Sequence, residues 1–199
     1  MILYLHGFRS APASFKASFL QAAMQARGQS AAWFCPQLPS SPKAAVALAR
    51  ALITEHCPRP AQDLCLIGSS LGGFYATALA EEFACRAVLL NPAIFPARDL
   101  ANQLDHRTQY HSDQPFEFKA EYLQELAQLT VAQISQPERY FLLAATGDEV
   151  LDWREMQAHY PAARQLIIQG SDHGISDFAQ YSEQVLAFAG YPPISGSGL

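Results

Sequence analysis

The stretch Asp63-Leu64-Cys65-Leu66-Ile67-Gly68-Ser69-Ser70-Leu71-Gly72-Gly73 leaves few folds open to this chain. Its first half is a short apolar run of the kind that fills a buried strand. Its second half reads Gly68-x-Ser70-x-Gly72 and passes directly into Phe74-Tyr75-Ala76-Thr77-Ala78-Leu79-Ala80, a segment rich in helix formers. Strand, sharp turn and helix in that order give a serine at the apex of the turn its chemical interest. Small residues at 68 and 72 let strand and helix approach closely while the Ser70 backbone is held strained. The hydroxyl is pushed out above the sheet, and the first N–H groups of the helix point at whatever binds beside it. Ser69 is not equivalent, because Ile67 stands where its leading glycine would be. Alone, the pentapeptide is equally a Gly-rich turn, and the placing of other groups has to decide.

Other apolar runs repeat the strand pattern: Ile2-Leu3-Tyr4-Leu5, Ala32-Trp33-Phe34-Cys35, Ala87-Val88-Leu89-Leu90-Asn91, Tyr140-Phe141-Leu142-Leu143-Ala144-Ala145 and Gln165-Leu166-Ile167-Ile168. Helical stretches alternate with them. One spans about Ser14 to Arg27, with Ser14 as N-cap and Gly28 as stop. A second starts at Ser41-Pro42 and places Ala45, Val46, Ala49, Leu52 and Ile53 on one face. The last runs from about Ser176 to Ala189, with Phe178, Tyr181, Val185 and Phe188 aligned, before a loose Pro/Gly/Ser-rich tail. Such alternation predicts an α/β fold: one domain with a parallel sheet covered on both faces. Between the fourth and fifth strands, residues at about 94–135 exceed what a single crossover helix needs. In an open parallel sheet ligands bind beyond the carboxyl ends of the strands, so this insertion is expected to form a helical lid over the site. Within it Phe118, Tyr122, Leu126 and Leu129 share a helical face.

With 199 residues, half of them hydrophobic and 16% charged, the chain has enough apolar material for a core without staples. A net charge of −5 with no basic run argues against nucleic acid or an anionic membrane surface as the main partner. No apolar run reaches the length of a membrane span. Met1-Ile2-Leu3-Tyr4-Leu5-His6-Gly7 has no basic region and does not read as a signal peptide. Cys35, Cys57, Cys65 and Cys85 show no metal or redox spacing, so free thiols in a reducing cytoplasm are expected.

A serine hydroxyl needs a base within hydrogen-bond reach, and the base needs an orienter. Two segments that follow carboxyl ends of strands supply them: Thr146-Gly147-Asp148-Glu149-Val150-Leu151-Asp152 after the fifth, and Gly170-Ser171-Asp172-His173-Gly174 after the sixth. The chain order Ser70, Asp148, His173 is the order of a nucleophile elbow in an α/β-hydrolase. His173 is read as the base and Asp148 as its orienter. Asp152, the rival, fits better as the cap of the helix holding Trp153 and Met156, and Asp172 serves its own loop. The oxyanion donors are expected to be the backbone N–H groups of Leu71 and Phe8. His6, which precedes them, is read as structural. Asn91, Ile94 and Phe95 are candidates for the substrate wall. His56 and His159 read as surface residues at helix ends, Arg9 and Lys16 offer cations to an anionic substrate but read better as solvated residues, and His106 and His111 lack a metal spacing. No cofactor or metal is implied.

On these residues the chain resembles the α/β-hydrolase superfamily over nearly its whole length, and within it the small bacterial YqiA/YcfP-like esterases. The resemblance is carried by Tyr4-Leu5-His6-Gly7-Phe8 with Ser10, Pro12 and Lys16, by Gly68 to Gly73, by Leu90-Asn91-Pro92-Ala93, by Thr146 to Asp152 and by the His173 loop. Arg9 and the surroundings of His173 depart from the family pattern. The resemblance implies an α/β-hydrolase fold with six strands in spatial order 2-1-3-4-5-6. It also implies hydrolysis of carboxylic esters or acyl thioesters by a Ser70–His173–Asp148 triad through an acyl-enzyme. Two other readings compete: a non-catalytic binding protein on the same fold, and a flavodoxin-like nucleotide binder that would use the Gly72-Gly73 helix end. The latter leaves Asp148 and His173 unexplained.

Overall fold

The computed structural model describes residues 1–101 and 118–193. Six strands form one sheet: β1 (Ile2–Leu5), β2 (Trp33–Phe34), β3 (Cys65–Ser69), β4 (Arg86–Leu90), β5 (Tyr140–Ala145) and β6 (Arg164–Ile168). Every neighbouring pair is parallel, and the spatial order is β2-β1-β3-β4-β5-β6, as the family resemblance implies. The central strands β1, β3 and β5 are buried along their whole length, as a sheet covered on both faces requires.

Among the described residues eight α-helices accompany the strands: α1 (Phe15–Ala26), α2 (Pro42–His56), α3 (Pro60–Asp63), α4 (Leu71–Phe83), α5 (Pro96–Asp99), α6 (Glu121–Gln128), α7 (Trp153–His159) and α8 (Ser182–Phe188). Side-chain alternation along the strands divides the core in two. Leu3, Leu5, Leu66, Leu89 and Leu142 face one layer with Val46 and Ile53 of α2, Leu79 of α4 and Met156 of α7. Ile2, Tyr4, Ile67, Val88 and Leu143 face the other with Leu20 and Met24 of α1 and Val185 and Leu186 of α8.

Local signals explain most boundaries. Ser41 Oγ accepts the Ala44 N–H at 3.1 Å and Pro42 occupies the first turn of α2. Asp152 caps α7 by accepting the Arg154 N–H at 2.9 Å. Ser14 stands at the N-cap position of α1, but its side chain makes no capping bond. The last helix is shorter than its periodicity suggests: a 3-10 turn at Phe178–Gln180 precedes α8. Phe178, Tyr181, Val185 and Phe188 nevertheless pack into one cluster.

The insertion after β4 begins with α5 and ends with α6. Residues 102–117 of the proposed lid, with His106 and His111, lie outside the described residues. α6 is tied to α2 by Glu125, whose Oε2 accepts from Ser41 Oγ at 2.7 Å and from the Lys43 N–H at 3.0 Å, and Leu126 is buried beneath it. Among the described residues no helix is long and apolar enough to cross a membrane.

Candidate active site

The turn between β3 and α4 is strained at one residue. Ser70 has φ 54° and ψ −120°, a conformation that costs a non-glycine residue of order 1–3 kcal/mol. Its surroundings hold it there: the Ser70 N–H donates to Leu90 O at 3.0 Å, and Ser70 O accepts the N–H groups of Gly73 and Ala93. The glycines serve close approach. A Cβ on Gly72 would lie 1.9 Å from Leu5 O, and one on Gly68 would lie 2.3 Å from Gly72 O.

Asp148 follows β5 and His173 follows β6, so adjacent strands deliver both to the carboxyl edge beside Ser70. His173 Nε2 lies 3.0 Å from Ser70 Oγ, and Nδ1 lies 2.8 Å from Asp148 Oδ2. The Asp148 side chain is fully buried, and its Oδ1 accepts the N–H groups of Val150 and Leu151 at 2.8 and 2.9 Å. Those two bonds fix the carboxylate so that its other oxygen faces the imidazole. A close approach of Gly147 to Ser171 O, where a Cβ would come within 2.3 Å, brings the two loops together. Asp152 is engaged at its helix, and Asp172 Oδ1 accepts the Ser176 N–H at 2.8 Å within its own loop.

The His173 loop is fastened by side chains that the sequence reading assigned elsewhere. Asn91, a candidate for the substrate wall, is fully buried and does not line the cavity at Ser70. Its Nδ2 donates to the carbonyls of Asp172 (3.1 Å) and His173 (3.0 Å), and its Oδ1 accepts the Ala145 N–H at 2.8 Å. Its φ of 43° suits asparagine, which tolerates the left-handed region better than most residues. Asn91→Ala leaves these groups without their partner, and a loss of about 2–4 kcal/mol in urea unfolding is expected. A variant with the parent's midpoint would contradict this role. Glu149 Oε2 accepts the His173 N–H at 3.0 Å.

Lys16, read from the sequence as solvated, is buried. Its Nζ donates to Gly174 O at 2.5 Å. The signal was its spacing: Lys16, Leu20 and Met24 lie four residues apart on the inward stripe of α1. Burial lowers the Lys16 pKa to about 8, partly offset by the carboxylates of Asp172 and Asp148.

A cavity of about 430 Å³ opens at Ser70 and His173, and Gly7, Phe8 and Leu71 form part of its wall. Leu71 is the first residue of α4, where an N–H has no carbonyl of its own helix to donate to. Pro96, Asp99 and Leu100 bring the insertion to the rim, and Phe118 meets the Phe8 ring edge-on at 5.1 Å. Ile94 is buried and lines a separate small pocket, while Phe95 is exposed and carries the Arg98 guanidinium over its ring. His6 is buried, which lowers its pKa. Its Nε2 faces the Leu38 N–H at 3.0 Å and therefore accepts, leaving Nδ1–H for Gly7 O. His56 stacks on Phe34, and half-buried His159 has its pKa lowered by burial. Among the described residues no cluster of His, Cys, Asp and Glu converges as a metal site.

Solved structures share this architecture. One comes from LipS and LipT, two metagenome-derived lipolytic enzymes, with TM-score 0.70, 16% identity, and 94% of this chain and 92% of that chain covered. The mouse alpha/beta hydrolase domain-containing protein 10 has TM-score 0.69 at 13% identity, covering 94% and 89%. The esterase domain of a Rhodothermus marinus protein has TM-score 0.65 at 20% identity, covering 94% and 85%. At these identities the likeness establishes the α/β-hydrolase fold. Residues 1–190 match the Uncharacterised protein family (UPF0227), so this chain is a member of that family.

Proposed function

We propose that the protein is a cofactor-free serine hydrolase of carboxylic esters or acyl thioesters. One imidazole standing between Ser70 Oγ at 3.0 Å and Asp148 Oδ2 at 2.8 Å carries this reading. Ser70 Oγ forms a bond to the acyl carbon as its proton passes to His173 Nε2. Asp148 holds Nδ1–H in place and stabilises the imidazolium. The backbone N–H groups of Phe8 and Leu71 receive the oxyanion charge of the tetrahedral intermediate. As that intermediate collapses, the bond to the leaving oxygen or sulfur breaks and His173 returns the proton to it. Water then attacks the acyl-enzyme with His173 as base, releasing the acid and restoring Ser70.

The cavity volume suits a small or medium substrate. Exposed Phe15 and Val150 in its wall favour an apolar acyl portion. The chain is read as one domain, and of the insertion expected at 94–135 the described residues Pro96, Asp99 and Leu100 contribute to the cavity wall. Cys35, Cys57, Cys65 and Cys85 are all free, in keeping with a cytoplasmic location.

Turnover of p-nitrophenyl esters from acetate to palmitate, beside acyl-CoA thioesters, tests the reading and sizes the pocket. Absence of turnover on the whole series would contradict it. Asp148→Asn is expected to lower kcat by about 1,000- to 10,000-fold with little change in folding. The new Oδ1 can still accept from Val150 and Leu151, but Nδ2 would then point at His173 Nδ1. That pins the proton on Nε2, which can no longer take the Ser70 proton. Activity within tenfold of the parent would rule out this role.

A further inference from the structure

We propose that the cavity selects substrates bearing a carboxylate, with the Lys16 ammonium in its wall as the specificity-determining cation. This rests on the serine-hydrolase reading and names the substrate class for the same site. Lys16 sits on the first turn of α1 and lines the cavity together with Ser10, Ser14, Ser70 and His173. Its ammonium carries three donors, and among the described residues it uses one, to Gly174 O. Fastening that carbonyl does not need a charge, since a neutral amide would serve. A buried cation is retained at a cost unless an anion answers it.

Among the described residues no carboxylate does so within ion-pair distance. Asp148 is engaged by His173 and two backbone N–H groups, and Asp172 acts on Lys16 only from further away. Glu149 accepts from the His173 N–H. Asp99, the other charged residue of the wall, accepts from Arg98 Nε at 2.7 Å, and the Arg98 guanidinium lies outside the cavity lining. A second observation lies one turn-position away. Ser14 Oγ, also in the wall, is buried and makes no hydrogen bond of proper geometry, although it lies near the Tyr4 hydroxyl. A cation with two donors to spare and a buried hydroxyl in the same wall describe a seat for a carboxylate.

The carboxylate can sit on the acyl side or on the alcohol side, and two ester pairs separate these. Mono-4-nitrophenyl glutarate is compared with 4-nitrophenyl butyrate, and 4-carboxyphenyl butyrate with 4-(methoxycarbonyl)phenyl butyrate. In one pair the charged ester is expected to have a kcat/KM at least about tenfold higher than its neutral partner. In Lys16→Met that ratio falls by a similar factor. The wild-type ratio also declines as pH rises through about 8, where Lys16 loses its proton. Any pH dependence common to both members of a pair cancels in the ratio, so this arm needs no variant. Equal turnover of charged and neutral esters in both pairs overturns the carboxylate assignment and leaves the hydrolase reading intact. So does a Lys16→Met protein that loses activity equally on both members, which makes Lys16 a tether of the His173 loop only. No turnover of any of the four esters overturns both readings.

Discussion

Ser70→Ala is expected to lower kcat/KM for ester hydrolysis by about 10,000-fold or more, in a protein that still unfolds cooperatively near the parent's urea midpoint. The size follows from what is removed: without Oγ there is no acyl-enzyme, and only binding and oxyanion stabilisation are left to act on attack by water. The folded state should survive, because Ser70 is held through its backbone, by Leu90 O, Gly73 N–H and Ala93 N–H, and these contacts do not involve Oγ. His173→Ala is expected to lose a comparable factor, since the hydroxyl is a poor nucleophile once Nε2 is gone. The two losses should not add. A double variant no slower than either single one is the signature of groups acting as one unit, and multiplying losses would assign them separate roles.

Gly72→Ala has the largest expected effect on the fold, a loss of roughly 3–5 kcal/mol in urea unfolding. A Cβ there would stand 1.9 Å from Leu5 O, 2.5 Å from Leu5 C and 2.8 Å from His6 O. All three are backbone atoms at the end of β1, so no side chain can rotate away. Relief requires β1 and the start of α4 to separate, which pulls apart the buried pairing of Leu5 with Gly68 and moves the Phe8 loop away from Ser70. Residual activity should therefore fall with stability. A parent-like midpoint would mean that the turn is far looser than the contacts between α4 and β1 imply.

The groups legible in the sequence were those announced by local signals. Ser70 stands between an apolar run and a helix former, and Asp148 and His173 each follow an apolar run directly, so topology alone carries them to one edge of the sheet. The strands were legible for the same reason, because each buried run is bounded by polar or Gly-containing residues, whereas their spatial order came from the family resemblance. What escaped was orientation. Asn91 also follows a strand, but its φ of 43° turns the side chain beneath the His173 loop and away from the cavity. Ile94 and Phe95 sit only a few residues further on, yet one is buried in a different pocket and the other faces solvent. Lys16 is buried although charged, because it continues the inward stripe of Leu20 and Met24. Ser14 was read as a cap from its residue type, but its hydroxyl makes no bond to the helix it precedes.

The most direct test of the central claim is the covalent labelling of Ser70. The folded protein is treated with a fluorophosphonate probe and the modified peptide is identified by mass spectrometry. Stoichiometric modification at Ser70 is expected, blocked in Ser70→Ala and strongly slowed in His173→Ala and Asp148→Asn. A folded protein that leaves Ser70 unmodified would contradict the account and favour a binding protein on a hydrolase fold.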